Sequence, residues 1–336
     1  MTHGSQRARA VRRLVAVVLL ADLLGGCRRA SQPPEPRPLL VASTERLLVV
    51  APHPDDETIG AGGLMQRVLE RGGSVRVVLI TAGDGYIEGV RHETREPRPR
   101  PAEFVRYGER RVRESRAALR ELGAGEPIPL TLLGFPDGGL ERLLLAHWWR
   151  TDREQSGTTD ATHPPYREAL DPELPYDGDD LRAALTDVVR ATQPTLVALP
   201  DFLDRHPDHR AAGLFTLLAL EQVRRETGDV PRMLAYLVHW PGWPPGWDQP
   251  RARPEDRQHS LRLPADLPDR GLEQWFVVLS RKQVLVKGAA LARYATQQEV
   301  MAPLLATFVR TTEPFTELTT RDLDHVDARI ADATAK

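Results

Sequence analysis

Arg46-Leu47-Leu48-Val49-Val50-Ala51 runs directly into Pro52-His53-Pro54-Asp55-Asp56-Glu57, and residues 58–71 follow before Gly72-Gly73. The first six residues are a short apolar run, suited to a strand buried on both faces of a parallel sheet. Residues 58–71 read as a helix stopped by the glycine pair. Strand, polar turn and helix in that order put an imidazole and three carboxylates at the carboxyl end of a strand, where open α/β sheets carry their sites.

The same alternation continues outward. Residues 75–81, 130–133 and 195–199 read as buried strands, and residues 103–122, 180–191 and 207–226 as helices. Residues 233–239 and 275–279 read as further strands, and residues 281–296 and 300–309 as closing helices. The pattern predicts an α/β fold, a Rossmann-like three-layer sandwich with a mostly parallel sheet, extended loops and C-terminal helices. Long polar connections at 84–101, 146–178 and 240–271 are expected to be functional rims or irregular chain. No Gly-x-Gly-x-x-Gly follows the first strand, which argues against dinucleotide redox chemistry on such a fold.

Apolar residues make up 41% of the 336, enough for one sizeable core. Basic and acidic residues number 45 and 47, so no global field draws the chain to nucleic acid or acidic lipid. The N-terminus reads differently. Arg7, Arg9, Arg12 and Arg13 precede an apolar stretch at 14–24 that is too short to span a bilayer and looks like a secretion signal. Leu24-Gly25-Gly26-Cys27 resembles a bacterial lipobox, although Asp22 departs from that pattern. Cys27 is the single cysteine, so the chain has no internal disulfide and no thiolate metal cluster. The expectation is an exported, membrane-anchored lipoprotein facing the periplasm or cell exterior, held by a lipid on Cys27; the alternative is a cleaved signal with an incidental cysteine. The chain then divides into a signal at 1–27, a Pro-rich tether at 28–44, one domain at 45–310 and a tail at 311–336.

Two motifs carry the chemistry. In His53-Pro54-Asp55-Asp56-Glu57, His and Asp suit zinc, and a site with three protein ligands leaves a position for water. Neighbouring carboxylates in one turn can divide the work, one on the metal and one free as a base. The alternative is that the acids only cap a helix and favour its positive end. His206-Pro207-Asp208-His209 lies shortly after the fourth strand and opens the next helix, on the same sheet edge. It offers a ligand, a second imidazole and an acid to orient that imidazole.

With these motifs the chain resembles the LmbE/PIG-L-type N-acetylglucosaminyl deacetylases, which include mycothiol- and bacillithiol-pathway enzymes. The resemblance runs through Ala51 to Glu57, Thr81-Ala82-Gly83-Asp84, Arg111 with Glu114, Leu122-Gly123, Leu133-Gly134-Phe135-Pro136-Asp137-Gly138 and His206 to His209, over roughly residues 46–225. Lys287, Ala290, Leu291, Tyr294 and Gln297 fit a pattern of larger bacterial members. The resemblance implies one Zn2+ per chain on His53, Asp56 and His209, with Asp55 as general base. It implies that His206 stabilises the oxyanion and assists the leaving group, with Asp208 favouring its imidazolium form. Asp137 matches a position that contacts substrate hydroxyls, and Asp84 is a similar candidate; an Asp-Gly turn is the plain alternative for Asp137. The implied activity is removal of an N-acetyl or other N-acyl group from an amino sugar or glycoconjugate. Two alternatives stay open: a non-catalytic, zinc-containing carbohydrate-binding lipoprotein, and an amidase of a larger sugar–thiol conjugate. Trp148, Trp149, Trp240, Trp243 and Trp247 either stack on a sugar or pack their loops, and Glu57 is expected to orient the first motif.

Overall fold

The computed structural model describes residues 36–246 and 258–326. The signal at 1–27, Cys27 with its expected lipid, most of the tether, and Trp247 lie outside the described residues. In chain order the strands are β1 (Arg37–Pro38), β2 (Arg46–Ala51), β3 (Ser74–Thr81), β4 (Leu130–Phe135), β5 (Leu196–Pro200), β6 (Arg232–Tyr236), β7 (Gln274–Val278) and β8 (Thr312–Leu318). The helices are α1 (Asp56–Glu70), α2 (Ile87–Thr94), α3 (Pro101–Leu122), α4 (Leu140–Leu145), α5 (Gly178–Thr192), α6 (Pro207–Thr227), α7 (Arg281–Leu291), α8 (Ala295–Thr307) and α9 (Thr320–Asp324).

The strands form one sheet of order β1-β7-β8-β6-β5-β2-β3-β4. Pairings are parallel except where β8 runs antiparallel to β6 and β7. β2 shows why: its side chains alternate between two cores. Leu47, Val49 and Ala51 pack with Leu64 and Val68 of α1 and Val112 and Leu119 of α3. Leu48 and Val50 pack with Leu181 and Leu185 of α5 and Ala212 and Phe215 of α6. A strand with a period of two and apolar residues at successive positions, as from Leu47 to Ala51, must be covered on both faces, and the result is three layers. Each large apolar side chain buried this way contributes about 1.5–3 kcal/mol. Gly60 lets α1 approach the sheet closely, because a Cβ there would collide with the Tyr236 ring.

Chain order reverses at β2. The chain moves from β2 to β3 and β4 on one side, then returns to β5 and β6 on the other. The carboxyl ends of β2 and β5 therefore flank a topological switch point, the crevice where such sheets bind ligands.

Three expectations need correction. Residues 311–336 were read as a tail, but β8 enters the sheet between β6 and β7, with Phe315 fully buried. Its two glutamates and a proline hide the strand signal. Glu313 is tolerated inside because it accepts from the backbone of Gly63 and Leu64 and from Lys287 Nζ. The last part of the expected tether, Arg37–Pro38, pairs with β7, and Leu39 is buried. The helix expected over 281–296 ends at Leu291, and a separate one starts at Ala295. Among the described residues no helix is long and apolar enough to cross a membrane.

Candidate metal centre and active site

The turn after β2 is held from behind by β3. Thr81 donates through both its N–H (3.0 Å) and its Oγ1 (2.9 Å) to the carbonyl of Pro52. α1 then begins at Asp56 with Asp55 at its N-cap, and the Asp55 side chain makes no capping hydrogen bond. The Asp55 carboxylate is therefore not spent on capping. Asp56 Oδ2 accepts the backbone N–H of His53 at 3.0 Å and lies 3.1 Å from His53 Nδ1. The same oxygen lies 3.2 Å from His209 Nε2. Asp56 thus brings together imidazoles more than 150 residues apart in sequence.

His206 caps α6 with Pro207 in the first turn; its Nδ1 accepts the N–H of Asp208 at 3.2 Å. This corrects the role expected of Asp208. N-cap and N2 positions are two residues apart, and side chains at that spacing do not face each other on a helix. The Asp208 carboxylate instead accepts from Gly138 N (2.6 Å) and Leu140 N (3.0 Å), and stands 3.2 Å from His53 Nε2. The surroundings of His206 disfavour the imidazolium form expected of it. Burial and the neighbouring imidazoles of His53, His209 and His239 push it down to about 2. A neutral ring accepting at Nδ1 carries its proton on Nε2.

Asp204, which sequence reading passed over, holds this half of the site. Its Oδ2 accepts from Val238 N (2.9 Å) and His239 N (3.0 Å) and faces His209 Nδ1 at 3.4 Å, while Oδ1 accepts from His206 N at 2.9 Å. The only sequence signal was an acid two residues before the second motif. His239, at the end of the chain leaving β6, was likewise missed; its ring centroid is 4.8 Å from that of His209 and 5.3 Å from that of His206.

Charges in this cluster are strongly biased. Burial alone would raise Asp56 and Asp204, but the adjacent His209 outweighs it, holding Asp56 well below the usual carboxylate range and Asp204 at about 2. Burial alone would lower His209, but Asp56 and Asp204 push it up to about 10. His53 is raised well above its ordinary value, its burial overcome by Asp137, Asp208 and Asp56. Protons on two imidazoles here supply positive charge that a divalent cation would supply instead, since metal-bound histidines are neutral.

The donor set fits such a cation. Both ring nitrogens of His209 are buried without an aligned hydrogen bond among the described residues. Donors on one tetrahedral zinc, with bonds of ~2.0–2.1 Å, stand about 3.3 Å apart, close to the separations around Asp56. Each imidazole also turns its other nitrogen to a carboxylate, His53 to Asp208 and Asp137 and His209 to Asp204, as metal-bound histidines do.

Asp55 stands beside this cluster under backbone strain, at φ 118°. Its N–H donates to Glu57 Oε2 at 3.0 Å, and Glu57 Oε1 accepts from Tyr294 OH at 2.7 Å. Arg111 donates to the carbonyls of Pro54 (2.8 Å) and Gly83 (2.7 Å) and lies 3.4 Å from Asp55 Oδ2. Gly83 is required at φ 69°, because a Cβ there would strike the Arg111 guanidinium. Burial pushes Asp55 up to about 8; Arg111 opposes this, and Asp56 and Glu57 add to it.

These residues open on a cleft of about 270 Å³ lined by His53, Asp55, Asp56, Tyr86, Arg111, Asp137, His206 and His239, with Ile59, Val238, Met301 and Leu304 as an apolar wall. Asp137 reaches the cleft, with Oδ1 3.2 Å from His53 Nε2 and Oδ2 accepting from Gly85 N at 2.6 Å. Asp84 does not: it is buried behind, accepting from Tyr166 OH at 2.6 Å. The indole N–H groups of Trp240 and Trp243 donate to Asp266 and to the Arg262 carbonyl, and both rings are buried, so they pack their loop. Trp148 stacks on Phe215, whereas Trp149 is exposed. His92 and His147 pair with acids outside the cluster.

Residues 48–220 match the model of the PIG-L family, described as GlcNAc-PI de-N-acetylase. A 1D-myo-inositol 2-acetamido-2-deoxy-alpha-D-glucopyranoside deacetylase of Rhodococcus opacus is 32% identical over 187 residues, covering 55% of this chain and 56% of that protein. A protein of the same name from Kineococcus radiotolerans is 32% identical over 233 residues, covering 66% of this chain and 57% of its own length. The chain thus spans little more than half the length of these relatives. Among solved structures, an N,N'-diacetylchitobiose deacetylase from Pyrococcus horikoshii superposes with a TM-score of 0.50 at 19% identity, over 82% of this chain and 84% of that one. That likeness concerns the fold.

Proposed function

The chain belongs to the PIG-L family, and from that premise we propose that it is a zinc-dependent hydrolase removing an N-acetyl group from an amino sugar or a conjugate of one. The observation that carries the reading is the meeting of His53, Asp56 and His209 at the β2/β5 switch point, with Asp55 and His206 on the rim of the same cleft. The relatives named for deacetylation of a GlcNAc–inositol support an acetamido sugar as substrate. A cleft of about 270 Å³ lies just below the usual range of ligand pockets, roughly 300–1,000 Å³, which favours a substrate presenting one acylated ring.

His53, Asp56 and His209 would hold the ion, whose chemistry when bound is to polarise the acyl oxygen and acidify water. Asp55 takes the proton as water attacks the acyl carbon. Burial raises its carboxyl above the usual carboxylate range, which makes its ionised form a stronger proton acceptor. Arg111 and Glu57 fix its position. His206, neutral with its proton on Nε2, donates to the acyl oxygen as negative charge develops there; one such donor is typically worth about 10²–10³ in rate. Asp55 then returns its proton to the departing amine, leaving acetate and a free amino group. Asp137 is ionised, its burial outweighed by His53, and is placed to accept from a sugar hydroxyl. Release of acetate from a panel of N-acetylated amino sugars and their inositol conjugates tests the reading. No release from any of them by zinc-loaded protein overturns it. Export and a lipid on Cys27 belong to the same proposal and rest on the N-terminal sequence pattern alone.

A further inference from the structure

His239 sits where the chain leaves β6, and two hydrogen bonds of its backbone stitch it to Asp204 and Arg205, just before the second motif. Its N–H donates to Asp204 Oδ2 at 3.0 Å, and its carbonyl accepts from Arg205 N at 2.9 Å. Asp204 Oδ2 is also the oxygen that faces His209 Nδ1. One carboxylate therefore fixes the backbone of one imidazole residue and the ring of another. The His239 side chain lines the cleft. Asp56, His209 and His239 each place a donor atom within 4.8 Å of the other two. His53 approaches the same Asp56 oxygen, at 3.1 Å. Asp56 and His209 thus form one donor triad with His239, His209 forms another with His53 and His206, and His53 and His209 both approach the same Asp56 oxygen.

We propose that His239 is a further protein ligand for the divalent cation of this cleft. The set then becomes three imidazoles and one carboxylate. Zinc takes four such donors in closed sites, whereas catalytic sites keep one position open and can expand to five, so this histidine both tightens binding and competes for the position that a reacting group needs. The inference rests on the metal-binding reading of the cleft and is independent of the reaction.

X-ray absorption on the zinc-loaded protein counts the imidazoles directly. Three are expected in the wild type and two in His239→Ala, with zinc dissociation constants, read by chelator competition, rising at least tenfold in His239→Ala and in His239→Gln. Two imidazoles in the wild-type spectrum would overturn the inference while leaving the other three ligands in place. An unchanged dissociation constant in a folded variant would also overturn it. A wild-type protein that takes up no zinc would remove the site itself. The wild-type spectrum decides even where a variant fails to fold.

Discussion

The N–H of Asp55 donates to Glu57 Oε2 at 3.0 Å, across a backbone held at φ 118°. A non-glycine residue in that region costs of order 1–3 kcal/mol and persists only where its surroundings over-determine it. Glu57 does so by joining Asp55 to Tyr294, which opens α8 far along the chain. Glu57→Gln leaves one carbonyl acceptor for two donors, so the turn relaxes. Turnover should fall about tenfold or more, since small misplacements of a reacting group are costly. Zinc affinity should stay within a few-fold, because neither Glu57 oxygen faces the ion-binding cluster. Steady-state kinetics with chelator competition checks this; equal losses in both would show that Glu57 supports the ligands rather than the base.

Asp55 and His209 should separate catalysis from binding. Asp55→Ala removes the proton acceptor and spares all three expected ligands, so zinc content stays near one per chain while turnover drops about 10²–10⁴-fold. His209→Ala removes a fully buried residue that is proposed to ligate the ion, and zinc content should collapse. Elemental analysis of the two purified variants beside wild type is sufficient. Equal zinc loss in both would contradict the division of labour.

Asp204→Asn tests the carboxylate behind His209. It keeps the shape and one acceptor oxygen but loses the charge that faces Nδ1. Carboxylate partners of metal-bound histidines typically contribute about 10–100-fold in affinity, and a loss of that size is expected in a chelator titration. An unaltered affinity would reduce Asp204 to a brace for the Val238 and His239 backbone.

Much of this was legible from sequence, for physical reasons that also explain what was not. β2 from Leu47 onward and all of β5 are apolar, so their burial on both faces, and hence a parallel sheet, follows from composition. Their motifs then fall on one edge because strand direction is shared. β8 gave no such signal, since Glu313 and Glu317 interrupt its apolar residues and the first is neutralised only by Lys287 from a distant helix. Asp204 and His239 are single residues in loops, with no periodicity to mark them. Asp208 shows the limit of spacing arguments: two residues from His206, it nevertheless turns to Gly138, Leu140 and His53, because the helix begins between them.

Cys27→Ser tests the N-terminal reading independently of the fold. If Leu24-Gly25-Gly26-Cys27 acts as a lipobox, the wild type expressed in a bacterial host should incorporate a labelled fatty acid and sediment with membranes. The variant should do neither. Labelling that persists in the variant, or is absent from the wild type, rejects the lipid anchor, although a cleaved signal would still permit export.

Asp84 supplies a pH signature. Burial pushes its carboxyl up to about 7, with Asp137 adding to the rise and Tyr166 opposing it. Its Oδ1 is buried without a partner among the described residues and can carry the proton. In the unfolded chain the group titrates near 3.9. Between roughly pH 4 and 7 the folded protein therefore holds a proton that the unfolded chain has released, and this residue makes stability fall as pH rises. Asn at this position mimics the protonated form at every pH. The stability of Asp84→Asn relative to wild type should thus climb across that window and level off above it, by about 2–4 kcal/mol in all at 1.36 kcal/mol per unit. Because Asp84 does not reach the cleft, turnover should change by less than about threefold. Urea melts at several pH values measure the difference. A flat difference would mean that Asp84 is ionised throughout. A large loss of turnover with stability unchanged would restore it to the substrate site from which its burial removes it.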